Sequence, residues 1–173
     1  PARPPAPPPP PAPAGPAAAG RPPPPPPATV PLVVGPAGDL EHVRTRVHYF
    51  LTDHDMGYNT RYPASRMDLI LFDDALKHLL RISRIIGMDR GSALLVGVGG
   101  SGKQSLTRLS SFIGQQEIFQ VTLTKTYGIN AFKDDLKALF TMAGVARKHV
   151  TFLFTDAEVK DEGFLEYINQ LLM

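Results

Sequence analysis

The sequence predicts an α/β fold, a parallel sheet covered by helices on both faces, preceded by a disordered proline-rich segment. Three features predict it. From residue 39 onward, apolar stripes at helical spacing alternate with short apolar runs that suit buried strands. The resulting order, helix, strand, helix, strand, helix, strand, helix, requires parallel strands joined by right-handed crossovers. A glycine-rich turn, GVGGSGKQS at residues 97–105, lies between one such run and the helix after it.

Of the 19 prolines, all but Pro63 fall in residues 1–36, a stretch without acids or aromatic side chains. Proline and alanine favour extended polyproline II and bury too little apolar surface to offset the entropy of ordering. Residues 1–38 are therefore read as a disordered segment. Within it, Arg21 followed by Pro22 to Pro27 fits the R-x-x-P-x-x-P pattern of SH3 ligands, set against the plainer reading of a linker.

Leu40, Val43, Val47, Phe50 and Leu51 recur at helical spacing and predict a helix over 39–51. Thr52 to Arg66, with Gly57, Asn59 and Pro63, reads as a connecting loop. Asp68 is expected to cap a second helix bearing Leu69, Phe72, Leu76, Leu79 and Ile86, with Gly87 as its stop. Residues 39–90 thus form an N-terminal helical part. The remainder, 91–173, reads as the α/β core, and it begins with Ala93 to Val96 as a strand buried on both faces.

After the glycine turn, Leu106, Leu109 and Ile113 mark a helix that starts near Lys103. Phe119 to Leu123 is a second strand. Asn130 is expected to cap a helix carrying Phe132, Leu136, Leu139, Phe140 and Ala143 that ends at Gly144. Val150 to Phe154 is a third strand, and Phe164, Leu165, Ile168, Leu171 and Leu172 mark a last helix. The chain starts without methionine and stops inside an apolar pattern, so it reads as a piece of a longer protein, its core incomplete at the C-terminus.

Charge narrows the partners. Apart from Arg3 and Arg21, 16 basic residues balance 16 acids that all lie at or beyond Asp39. A formally neutral folded part has no basic footprint for nucleic acid or an anionic membrane, so neither is expected as a partner. The absence of cysteine excludes a disulfide framework and a thiolate zinc site. No apolar run approaches the ~20 residues that span a bilayer, and no secretory signal is visible, which makes cytoplasm or cytoskeleton the default location. His42, His48 and His54 stand six residues apart, off any single helical turn, and are read as surface residues.

Gly97-x-x-x-x-Gly102-Lys103 has Walker A spacing, and each residue type answers a physical demand. Glycines at Gly97, Gly99, Gly100 and Gly102 let the backbone turn its N–H groups toward phosphate oxygens. The helix from Lys103 adds its positive dipole end, and the lysine amine reaches the β and γ phosphates. The loop as a whole, Gly97, Val98, Gly99, Gly100, Ser101, Gly102, Lys103, Gln104 and Ser105, is the candidate cofactor-binding set, weighed against a merely structural tight turn. Gln104 stands where Ser or Thr would ligate magnesium, and Ser105 is turned about 100° further round the helix. Val150 to Asp156 supplies an apolar strand ending in an acid, so Asp156 is the candidate metal ligand. Ala157 occupies the position expected of a water-activating acid, so no catalytic residue is assigned. Glu158 is grouped with Asp161 and Glu162 as the acidic first turn of the last helix rather than as a displaced base.

Several blocks together resemble axonemal dynein heavy chains, specifically the fourth AAA+ module of the motor ring. They are LILFDDALKH at 69–78, RISR at 81–84, ALLVGVGGSGKQSLTRL at 93–109, FLFTD at 152–156 and FLEYIN at 164–169. The likeness runs from about Asp39 to Met173, and within it Gln104 is an identifying mark. The resemblance implies a P-loop NTPase core of the AAA+ type. It implies a place in a microtubule minus-end motor of the ciliary or flagellar axoneme, where a six-module ring turns over ATP and the fourth module is regulatory. It implies ATP or ADP as ligand, with Mg2+ at Asp156, and binding with weak or no hydrolysis. It further implies neighbouring AAA+ modules, dynein intermediate and light chains, and microtubules as partners through the parent motor. Two alternatives stand beside it. One is a stand-alone P-loop enzyme such as a small kinase or GTPase, although no Asn-Lys-x-Asp guanine motif occurs. The other is a proline-rich interaction protein with the P-loop region as scaffold.

Overall fold

The computed structural model describes residues 38–173. The proline-rich readings of residues 1–36, including the SH3-type pattern at 21–27, lie outside the described residues. Helix α1 runs Leu40–Thr52, and the Asp39 carboxylate accepts from the Glu41 N–H at 3.0 Å to cap it. The stretch read as loop contains a short helix, α2 (Tyr58–Arg61), and a 3-10 turn, Pro63–Ser65. A four-residue helix has no intrinsic stability. Burial of Tyr58 edge-on to Phe112 holds it, with ring centroids 5.5 Å apart.

Helix α3 runs Asp73–Ile86 and stops at Gly87 as expected, but its start corrects the sequence reading. Asp68 does not cap it. That carboxylate is exposed and pairs loosely with Arg66, while residues 68–72 precede the helix. Tertiary contacts hold this approach out of helical conformation. Asn59 brackets Met67 through both backbone groups at 2.8 and 2.9 Å, and Arg44 Nε donates to the Leu71 carbonyl at 2.8 Å. Arg44 also pairs with Asp73, tying α1 to the first turn of α3.

Helix α4 (Lys103–Ile113) packs along α3, burying Leu106 and Leu109 against Leu76, Leu79 and Ile82. A serine lets the helices meet closely: Ser110 is fully buried, and its Oγ donates to the Leu79 carbonyl at 3.3 Å.

The sheet has two described strands, β1 (Glu117–Phe119) and β2 (Val150–Phe152), parallel, with Glu117 opposite Val150 and Phe119 opposite Phe152. The strand expected at 119–123 is displaced, since β1 shares only Phe119 with that run, and β2 is shorter than the run expected at 150–154. Residue alternation sends Phe119, Val150 and Phe152 toward a core of Phe132, Leu136, Leu139 and Phe164. On the other face, the Ser111 hydroxyl of α4 lies 2.9 Å from Thr151 Oγ1. Helices therefore cover both faces, α4 one and α5 (Ile129–Phe140) with α6 (Gly163–Leu172) the other.

The expected strand at 93–96 is not one. A strand exists only through its ladder, and residues 91–98 pair with nothing among the described residues. Leu94, Val96 and Val98 are 79 to 90% exposed, and Leu95 alone tucks against the α3–α4 core. Two further corrections concern α5. Its N-cap is Gly128, with Asn130 inside the first turn and making no cap. At the other end Gly144 does not stop the helix: the chain widens into a π turn, Thr141–Val145, closed by Ala146 N–H to the Thr141 carbonyl at 3.1 Å, and reverses at Arg147 with φ +50°. No helix among the described residues is long and apolar enough to cross a membrane.

Candidate functional site

The glycine loop leads from the extended segment into α4. Gly100 and Gly102 hold φ of +75° and +77°, in the left-handed region that suits glycine. Gly102 is the N-cap of α4 and offers no side chain to its first N–H groups. Those groups are left for an outside acceptor. Open space surrounds the loop, since a Cβ built on Gly99, Gly100 or Gly102 would meet nothing within 4 Å.

Lys103 begins the helix, and its ammonium folds back across the loop. It donates to the Gly97 and Val98 carbonyls, both at 2.7 Å, and to Ser101 Oγ at 3.1 Å. One cation thus closes a ring over residues 97–103, with three acceptors for its three protons. These bonds bring Gly97, Val98, Ser101 and Lys103 together. Gln104 is exposed, and Ser105, half-buried, lies further round the helix.

The residues fit a nucleotide's phosphates. Left-handed glycines, an uncapped N-terminus on an 11-residue helix and a cation at its first position supply backbone donors and charge along one open stretch of chain. For magnesium the donor set is thinner, an exposed amide at Gln104 and an exposed carboxylate at Asp156.

Asp156 opens a 3-10 turn, Asp156–Glu158, separated from the end of β2 by residues 153–155. No hydrogen bond or ion pair ties its carboxylate to the loop among the described residues. Here the reading of Glu158 is corrected. It does not join Asp161 and Glu162 at the start of α6, nor does the chain stay extended to carry it beside Asp156. Glu158 is 6% exposed and turned inward. Its Oε1 accepts from Gln120 Nε2 at 2.5 Å, its Oε2 accepts from the Thr155 N–H, and its own N–H donates to the Thr155 carbonyl at 3.0 Å. Gln120 Oε1 in turn accepts from Arg108 on α4. Sequence reading missed Arg108 and Gln120, whose partners lie 12 and 38 residues away.

A cavity of about 250 Å³ opens beside this chain of bonds, lined by Tyr58, Tyr62, Ser65, Arg108, Ile118 and Gln120. Burial pushes the Tyr58 phenol above its ordinary range, with the Arg108 cation pulling against that rise.

The family model for the P-loop containing dynein motor region D4 matches residues 67–173. Dynein axonemal heavy chain 5 of Mus musculus is 49% identical over 145 residues, 84% of this chain and 3% of its own length. Dynein axonemal heavy chain 8 of Homo sapiens is 56% identical over 115 residues, 66% of this chain and 3% of its own. The dynein beta chain of the flagellar outer arm of Chlamydomonas reinhardtii is 55% identical over 106 residues, 61% and 2% respectively. The chain spans only these few per cent of the length of the curated relatives it matches.

Proposed function

The chain belongs to the family of the P-loop containing dynein motor region D4, and from that premise we propose that it is an ATP-binding, regulatory AAA+ module of an axonemal dynein heavy chain. The observation that carries this is the closed ring of Lys103 over Gly97 and Val98 at the N-terminus of α4. A cation already held at the helix start, beneath two left-handed glycines, is poised to trade backbone carbonyls for phosphate oxygens.

In this reading residues 1–38 precede the module, 39–90 are its helical N-terminal part and 91–173 its P-loop core. Gly97 to Ser105 hold the phosphates of ATP or ADP. Asp156 would hold Mg2+, which, when bound, would supply charge neutralisation at the phosphates. Lys103 orients the phosphates, and the N–H groups of Gly102 to Gln104 point along the helix dipole toward them. Hydrolysis by this part of the chain is weak or absent, because the turn after β2 leaves no free carboxylate beside Asp156. Ala157 has none, and both oxygens of Glu158 are engaged. Through a parent motor, the module would serve microtubule-based movement of cilia or flagella in the axoneme, alongside neighbouring AAA+ modules and dynein intermediate and light chains.

Titration of the full chain with a fluorescent ATP analogue, with and without Mg2+, tests this, with Lys103→Ala as control and circular dichroism as the check on folding. The expected result is Lys103-dependent binding with phosphate release near background. Equal binding by wild type and Lys103→Ala sinks the phosphate site, and brisk phosphate release sinks the regulatory reading.

A further inference from the structure

Arg108, Gln120 and Glu158 join the two halves of the candidate site through three hydrogen bonds, all directed toward Glu158, two from the Arg108 side and one from the Thr155 backbone. The Arg108 guanidinium, on the phosphate-loop helix, donates to Gln120 Oε1. Gln120 Nε2, one residue beyond β1, donates to Glu158 Oε1 at 2.5 Å. Glu158 Oε2 accepts from the N–H of Thr155, the residue directly before Asp156. The glutamine amide is a neutral spacer between a cation and a carboxylate, and its orientation is dictated from both ends: reversing it would face donor with donor at Arg108 and acceptor with acceptor at Glu158. With Glu158 only 6% exposed, water cannot readily replace these bonds.

We propose that Arg108, Gln120 and Glu158 are positioning residues, a relay that fixes the turn presenting Asp156 relative to the helix that carries Lys103. Glu158 does this by holding the Thr155 backbone, not by touching the ligand. The role rests on the proposed nucleotide and Mg2+ reading of the site. It explains why a carboxylate two residues beyond Asp156 is buried rather than offered to solvent: its task is to set the backbone from which Asp156 projects. It also means that a shift of α4, when Lys103 leaves the Gly97 and Val98 carbonyls, is felt at the acidic turn through Arg108.

The test is fluorescent ADP binding to the full chain in EDTA and in MgCl2, reading the ratio of the two affinities. Gln120→Ala is expected to shrink the Mg2+-dependent gain by about tenfold, the size of one lost bond to a charged group. Its affinity in EDTA, set by the loop, should stay at the wild-type value. The decisive variants exchange the two groups. Gln120→Glu alone faces two carboxylates and is expected to lose the gain. Gln120→Glu combined with Glu158→Gln restores every donor and acceptor in the chain and is expected to recover it, so that failure of a single variant to fold does not decide the matter. Hydrogen exchange of the peptide spanning residues 153–160, read without nucleotide, should quicken in Gln120→Ala and return to wild type in the exchanged pair. If binding depends on Lys103 but the Mg2+ gain is unmoved in Gln120→Ala and Gln120→Glu, the relay is overturned while the nucleotide reading stands. If Lys103→Ala binds as wild type, the premise falls and the relay with it.

Discussion

The loop permits a controlled comparison, because Gly99 and Gly102 differ in backbone conformation and not in available space. A Cβ at either would meet nothing within 4 Å, but only Gly102 is left-handed, at φ +77°. An L-alanine held in that region costs about 1–2 kcal/mol. Alanine at a compatible site gains about 0.4–1 kcal/mol through the lost freedom of the unfolded chain, and at Gly102 this gain offsets part of the strain. Gly102→Ala is therefore expected to be less stable than Gly99→Ala by about 1–2 kcal/mol. In thermal unfolding followed by circular dichroism that is a separation in Tm on the order of 3–8 °C. Gly102 also starts α4, so strain relieved by twisting there would move Lys103 off the Gly97 and Val98 carbonyls, and nucleotide affinity should fall in Gly102→Ala more than in Gly99→Ala. Equal melting temperatures for the two variants would refute the reasoning, for they would show that the loop does not hold Gly102 left-handed.

Phe132 is fully buried and stacked on Phe164, with ring centroids 4.5 Å apart and planes 15° from parallel, and Phe132→Ala is expected to remove about 3–5 kcal/mol, lowering the urea midpoint by roughly 2 M. Tyr127 donates to Asp135, and burial first, then that carboxylate, holds its phenol well above the ordinary range. A folded value above the unfolded one means that this bond stabilises fully below about pH 10 and is lost as pH rises through the folded value. Tyr127→Phe should accordingly flatten the alkaline fall in stability and remove the last tyrosinate to appear in an absorbance titration. Gln104→Ser places a hydroxyl where the exposed amide now stands and is expected to raise the Mg2+ dependence of nucleotide affinity, read as the ratio of dissociation constants with and without the ion.

What the sequence made legible is what local pattern controls. The stripes Leu76, Leu79 and Phe132, Leu136, Leu139 face cores because a helix places residues three and four apart on one side. The glycine loop was readable because its residue types answer to a short stretch of backbone. The failures share the opposite cause. Asp68 has the chemistry of a cap, but Asn59 holds Met67 before it and Arg44 the Leu71 carbonyl beyond it, from sequence distances no local pattern reports. The run Ala93 to Val96 has the composition of a strand without a ladder. Glu158 resembled an exposed helical acid because Gln120, its partner, is 38 residues earlier.

The same division separates the two halves of the candidate site. Phosphate affinity depends on Lys103 exchanging three acceptors of its own loop for those of a ligand, and a ligand can draw only on the difference between the two sets. Ser101 is the weakest of the three, at 3.1 Å, and it is the acceptor most readily given up. Variants of Gly97 to Lys103 should thus change affinity equally in EDTA and in MgCl2. Variants of Gln120, Glu158 and Asp156 leave those exchanges alone and act on the backbone or carboxylate that would face the ion, so their effect should appear only when Mg2+ is present. A variant of Gly97 to Lys103 with a purely Mg2+-dependent effect, or an acidic-turn variant equally impaired in EDTA, would contradict the assignment of phosphate to those loop residues and metal to Asp156.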